Sequence, residues 1–262
     1  MKRIVAVVDA VHFREEQLDA FQYIAGLLKG RLKVLLLENE AARAMPAGET
    51  PEAQAAPESV DLQRLQRKCS ERGIPADLER GRGIALKEVV RESRFADLLL
   101  IDRETSLGNL FQSDVPGFIK DVPADAQCPV LVLPEKTGLF REVVFAYNGS
   151  YSSVYAIREF MQLFPSMSGK KASVIYVPEK GIPIIPNEQL LAEYLQLYFS
   201  DVTFTVLNGL PEAEIRRFLQ GREHCVAVMG AYGRNTFSRF FNPGNARNML
   251  RTLNVPVFIT HP

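Results

Sequence analysis

The chain has 262 residues, of which 47% are hydrophobic and 24% charged, with 31 Lys+Arg against 31 Asp+Glu. This length holds two domains of ordinary size, and the composition excludes a disordered chain or a fibrous repeat. With zero net charge and no long basic run, neither a nucleic-acid partner nor a membrane-surface face is expected.

The opening "MKRIVAVVDA" reads as a strand over 3–9. Its apolar run is broken by Asp9, so it is too short for a signal core or a membrane span, and a cytoplasmic protein is expected. A helix follows over "EEQLDAFQYIAGLLKG", where Leu18, Phe21, Ile24, Ala25 and Leu28 recur at three- and four-residue spacing and form one apolar stripe. Next come strand "LKVLLLE", helix "SVDLQRLQRKCSERG", weak strand "ADLER", helix "ALKEVVRES", strand "DLLLID" (97–102), a looser helical stretch near 110–121 and strand "PVLVLP" (129–134). Between the second strand and its helix lies "NEAARAMPAGETPEAQAAPES" (39–59), whose Ala, Pro, Glu and Gly predict an exposed surface insertion.

After "PEKTGLFR" (134–141), which has the Pro, Gly and charge of a linker, the pattern starts again. Strand "EVVFAYN" (142–148) precedes helix "SSVYAIREFMQLF", strand "ASVIYVP", helix "NEQLLAEYLQLYF" and strand "DVTFTVLNG". Helix "PEAEIRRFLQ", strand "CVAVMG", helix "NARNMLRTL" and strand "PVFIT" complete it. Apolar runs alternating with helical periods define βαβ units, so the fold class is α/β: two doubly wound, Rossmann-like parallel-sheet domains, over 1–135 and 140–262, each of five strands with helices on both faces.

The two halves are an internal repeat. Laying Cys128-Pro129-Val130 on Val255-Pro256-Val257 gives an offset of 127, which also lays Pro116-Gly117 on Pro243-Gly244. Laying Asp9-Ala10 on Asn148-Gly149 gives 139, a surplus of 12 residues in the first half that the 39–59 insertion accommodates.

In strand order, in opening strands that end "VVDA" and "AYNGS", and in the closing segment "VMGAYGRNTFSRFFNPGNARNMLRTLNVPVFITH", the chain resembles the universal stress protein family in its tandem form. The resemblance covers nearly the whole length and implies the adenine nucleotide alpha hydrolase-like fold. Nucleotide-binding members carry G-x2-G-x9-G-[ST] between the fourth strand and last helix. Gly230, Gly233 and Arg234 match, whereas Pro243-Gly244 stands where the family has Gly and then Ser or Thr. Proline has no N–H, so one potential phosphate donor is absent, while Gly244 and Asn245 keep theirs at the start of the next helix. The resemblance places ATP or a related adenine nucleotide in the second half only, with Gly230, Gly233, Gly244 and Asn245 at phosphate and Arg234 beside it. Asn148 and Val177 fall near the base; Asn148 replaces an aspartate of the family. In the first half the 127 offset sets Arg103-Glu104-Thr105-Ser106 against Gly230 to Gly233, and Asp102 and Glu104 would repel a polyphosphate.

Other chemistry lacks its residues. Cys69, Cys128 and Cys225 are isolated thiols without C-x2-C spacing, His12, His224 and His261 form no ligand pattern, and there is no P-loop or G-x-S-x-G elbow. No metal is expected, and Ser150, Ser152 and Ser153 read as helix caps. The leading expectation is a non-enzymatic stress-adaptation protein acting through ligand or partner binding, whose halves pack as an intramolecular pseudo-dimer by edge pairing of Val130–Leu133 with Val257–Thr260. A homodimer of whole chains is left open. The alternatives are an interaction module that takes no nucleotide and a weak ATP-hydrolysing enzyme.

Overall fold

Ten short apolar runs become ten strands of one continuous sheet in a computed structural model of the chain. The structure describes residues 1–37, 60–81, 85–103, 105, 118–178, 183–230, 250 and 252–262. The first half contains β1 (Arg3–Asp9), α1 (Glu16–Leu28), β2 (Arg31–Leu37), α2 (Leu62–Glu71), β3 (Ala76–Arg80), α3 (Ala85–Ser93), β4 (Leu98–Asp102), α4 (Phe118–Asp125) and β5 (Val130–Leu133). The second contains β6 (Glu142–Ala146), α5 (Tyr151–Leu163), β7 (Lys171–Tyr176), α6 (Glu188–Gln196), β8 (Val202–Val206), α7 (Pro211–Leu219), β9 (Cys225–Gly230) and β10 (Val257–Thr260).

The strand order is β3-β2-β1-β4-β5-β10-β9-β6-β7-β8, parallel throughout except where β5 meets β10 antiparallel, Val132 opposite Val257 and Val130 opposite Ile259. The two expected five-stranded sheets thus join edge to edge, through the expected pairing of Val130–Leu133 with Val257–Thr260, into one sheet whose halves are related by an approximate two-fold axis at that seam. Helices cover both faces: α1, α2, α5 and α6 pack one core through Leu18, Phe21, Leu65, Phe160 and Leu191, and α3, α4 and α7 pack the other through Val89, Val122 and Ile215. Strands buried on both faces read as unbroken apolar runs, which is why they stand out in the sequence.

The sheet register fixes how the halves correspond. Leu32 faces Ala76, 44 residues on, and Ala172 faces Val202, 30 residues on, so the first half's surplus lies between its second and third strands. The insertion itself, 39–59, is outside the described residues. On the fourth strands the register corrects the sequence alignment: Asp102 lies opposite Leu133 and Gly230 opposite Thr260. Leu133 and Thr260 are themselves related by the 127 offset of the closing strands, so the counterpart of Gly230 is Asp102, not Arg103. The predicted linker is also less loose than its composition implies. Phe140 is buried, its N–H donates to the Tyr23 hydroxyl at 2.7 Å, and the two rings meet edge to face.

Cys69 and Cys225 are buried and Cys128 partly so; burial pushes the Cys128 thiol up to about 12 and that of Cys225 to about 11. Among the described residues no helix is long and apolar enough to cross a membrane.

Candidate functional site

At the C-terminal ends of β6, β7 and β9 the second half opens a cleft, where crossing connections leave space in sheets of this topology. Ile175, Val177, Ile215 and Met229 supply apolar walls, and Asn148 and Ser153 polar ones. Counting its open mouth, the space among these residues is about 370 Å³. Of the seven residues placed at the site from sequence, Asn148, Val177 and Gly230 come together here. Gly233, Arg234, Gly244 and Asn245 lie outside the described residues, as do Pro116, Pro243 and Glu104.

Each polar group has a local cause. The Asn148 Oδ1 accepts from the Ser150 N–H at 3.0 Å and the Ser150 hydroxyl at 2.6 Å, so the side chain holds the turn between β6 and α5. Ser150 is the N-cap of α5, its Oγ accepting from the Ser153 N–H at 3.3 Å, while the Ser153 hydroxyl donates to the Ser150 carbonyl at 2.8 Å. Gly149 has φ +78°, and a side chain there would strike Pro186. The carbonyl of Pro186 accepts from the Tyr147 hydroxyl at 2.8 Å, and burial pushes that phenol up, so it remains a donor. Tyr147, Ser153, Ile215 and Met229 join the cleft without a sequence motif; only the fold brings them there.

Gly230 has a purpose other than close approach to a phosphate. A Cβ at this position would lie 2.3 Å from the Ser152 carbonyl oxygen, 2.4 Å from its carbon and 2.8 Å from the Ser153 nitrogen. Glycine lets the end of β9 sit directly on the first turn of α5, which brings that helix's N-terminus beside the cleft.

The first half answers the same geometry differently. Asp102 stands where Gly230 does, and its side chain needs room. The helical turn is missing there: α1 begins at Glu16, whereas α5 begins at Tyr151, which corresponds to His12. Into the space runs Arg14, the counterpart of Ser153, whose Nη2 donates to the Asp102 Oδ2 at 2.7 Å. Asp102 is 1% exposed. Arg14 also lies 3.6 Å from Glu135, which lies 3.8 Å from Arg103, and Arg103 donates to the Leu253 carbonyl and to Asn254 of the second half, each at 3.0 Å. Asp9 keeps the turn that Asn148 makes, accepting from the Val11 N–H at 2.9 Å, with His12 Nδ1 at 2.9 Å from its other oxygen. In the first half the Arg14–Asp102 ion pair thus stands at the strand end that Gly230 leaves bare in the second. Sequence reasoning named Asp102 as a repelling charge but not Arg14, whose partner lies 88 residues away.

No family model matches the sequence, and no curated protein does. Solved structures do match. A functionally unknown protein of Pseudomonas aeruginosa PAO1 is similar over 100% of this chain and 93% of its own, at 17% identity and a TM-score of 0.63. A protein of P. aeruginosa UCBPP-PA14, provisionally assigned to the universal stress proteins, is similar over 100% and 94%, at 17% identity and 0.62. A universal stress protein of Archaeoglobus fulgidus DSM 4304 is similar over 98% and 96%, at 14% identity and 0.58. The chain therefore has the universal stress protein fold over essentially its full length, as a sheet of ten strands.

Proposed function

We propose that this chain is a tandem universal stress protein that acts by binding, and that its single ligand cleft, in the second half, takes ATP or a related adenine nucleotide. The observation that carries this reading is the asymmetry between Gly230 and Asp102. One half keeps a bare strand end against a capped helix N-terminus, with an apolar floor of Ile175, Val177 and Met229 suited to a flat ring. The other half fills the equivalent space with Arg14 and Asp102.

In the cleft, Val177 and Ile175 would pack the base, Asn148 would hold the β6–α5 turn that shapes its edge, and the N–H groups of α5 would face negative charge. Among the described residues lining the cleft none is a carboxylate or a histidine, which supports binding over hydrolysis. A bound nucleotide supplies its own polyphosphate charge, and the chain supplies position. No metal is part of this proposal.

Calorimetry of the full chain with ATP, ADP and AMP, with turnover measured on the same sample, tests it. The expected result is one site per chain and no product above the uncatalysed rate. Absence of heat at millimolar nucleotide rejects the nucleotide reading, two sites per chain reject the asymmetry, and turnover rejects the non-enzymatic part.

A further inference from the structure

The outer surface of α1 and α2 in the first half and that of α5 and α6 in the second occupy corresponding places, yet their chemistry is opposite. The correspondence is secured by the buried side: Leu65 and Cys69 of α2 match Leu191 and Leu195 of α6, and Leu18 and Phe21 of α1 match Ile157 and Phe160 of α5, all buried. Outside, the first half carries an ion lattice. Lys68 pairs with Glu15 at 3.0 Å and Glu71 at 3.2 Å, and Arg72 with Glu15 at 2.7 Å and Asp19 at 3.2 Å. At the same places the second half has Tyr194 for Lys68, Val154 for Glu15, Leu197 for Glu71 and Tyr198 for Arg72, with Leu190 standing for Arg64.

These side chains are not hidden. Tyr151, Ile184, Leu190 and Leu197 each expose about two-thirds of their surface or more. Of nine exposed large apolar side chains among the described residues, five (these four and Val154) lie on or beside this helix pair, so the exposure is a patch and not scatter. Tyr151 contacts Tyr155 along α5 and Tyr194 contacts Tyr198 along α6. The two helices pack side by side on one face of the sheet, α5 between β6 and β7 and α6 between β7 and β8, with Ile157, Phe160, Leu191 and Leu195 in one core, so their outer stripes adjoin; Arg158 acts on the phenols of both Tyr155 and Tyr194.

We infer that this face joins two copies of the chain in an isologous dimer. The patch carries its own complement. Arg158, exposed on α5, makes no ion pair among the described residues, and Glu193, exposed on the neighbouring α6, is held only by Gln189 at 3.0 Å. A two-fold axis running along the helix pair sets α5 of one copy on α6 of the other, so that Arg158 meets Glu193 and the face of Tyr194 of the second copy, twice over. A surface of apolar stripes with Arg158 on one helix and Glu193 on its neighbour fits a second copy of itself, each of these charges meeting its opposite across the axis. The first half's lattice, already satisfied within the chain, has no such need.

Sedimentation velocity of the full chain over micromolar concentrations is the test. Wild type is expected to pass from monomer to dimer, and Leu190→Glu with Leu197→Glu to weaken dimerisation by about a hundredfold or more, because each change occurs twice in a two-fold interface. Leu210→Glu, equally exposed but outside the patch, is expected to leave it unchanged. Arg158→Glu and Glu193→Arg alone each weaken the dimer, and together they restore it, a recovery that misfolding cannot produce. A wild type monomeric throughout, a dimer indifferent to the two glutamates, or no recovery in the charge-swapped pair overturns the proposal.

Discussion

Arg14→Met is expected to destabilise the protein by about 3 kcal/mol, the scale of breaking a buried ion pair by removing its cation. Asp102 is 1% exposed and Arg14 approaches it at 2.7 Å, so removing the guanidinium takes a charge-assisted hydrogen bond from a carboxylate that water barely reaches. Arg14→Met combined with Asp102→Gly should cost much less than the single change, because the charge that needs compensation is gone and the strand end then matches Gly230. Urea unfolding of the two single variants and the double closes the cycle. Equal loss in Arg14→Met and in the double variant would mean that the charge on Asp102 is not what makes the loss of Arg14 costly.

Gly230→Ala is the second large effect, expected to lower stability by about 2–3 kcal/mol, at the upper end of overpacking costs. The added carbon falls 2.3 Å from the Ser152 carbonyl oxygen, a backbone atom that cannot turn aside, so the first turn of α5 must move and the cleft with it. Nucleotide binding should fall in the same variant. Gly26→Ala is the control: this residue lies inside α1 with nothing within 4 Å of the new carbon, so the change should stabilise by about 0.5–1 kcal/mol through helix propensity alone. Thermal or urea midpoints that move the same way in both variants would show that Gly230 is not a packing requirement.

Much of the fold is visible in the order of residues. Strands covered on both faces must be apolar on both sides, so "IVAVV", "LLLI" and "VLVL" stand out without any periodicity. Helices between them show their single buried stripe, as with Leu18, Phe21 and Ile24. Of the three serines read as helix caps, Ser150 is the N-cap of α5, whereas Ser152 and Ser153 lie inside its first turn.

The cleft was legible only where its residues sit at strand ends. Asn148, Val177 and Gly230 were placed by the resemblance of these strand ends to the family's pattern, but the pairing of Gly230 across the repeat was off by one residue. The closing strands set an offset of 127, while the fourth strands obey 128, and nothing in the letters marks the extra residue between them; only the hydrogen-bonded register does. Arg14 was illegible for another reason. It is an ordinary basic residue before a helix, and its meaning comes from Asp102, far along the chain but adjacent in the sheet. In "EYLQLYF" apolar residues stand on more than one side of the helix, and which of them point outward depends on the lie of α6 against the sheet.

One measurement bears most directly on the claim that the second half alone holds a nucleotide. Photolabelling the full chain with 8-azido-ATP and mapping the labelled peptides asks where the base sits. The label is expected in peptides containing Asn148 to Val177 or Ile215 to Gly230, and to be displaced by excess ATP. Displaceable label in the peptides holding Asp9 to Arg14 or Asp102 would contradict the account, because it would put a nucleotide where Arg14 and Asp102 already fill the space.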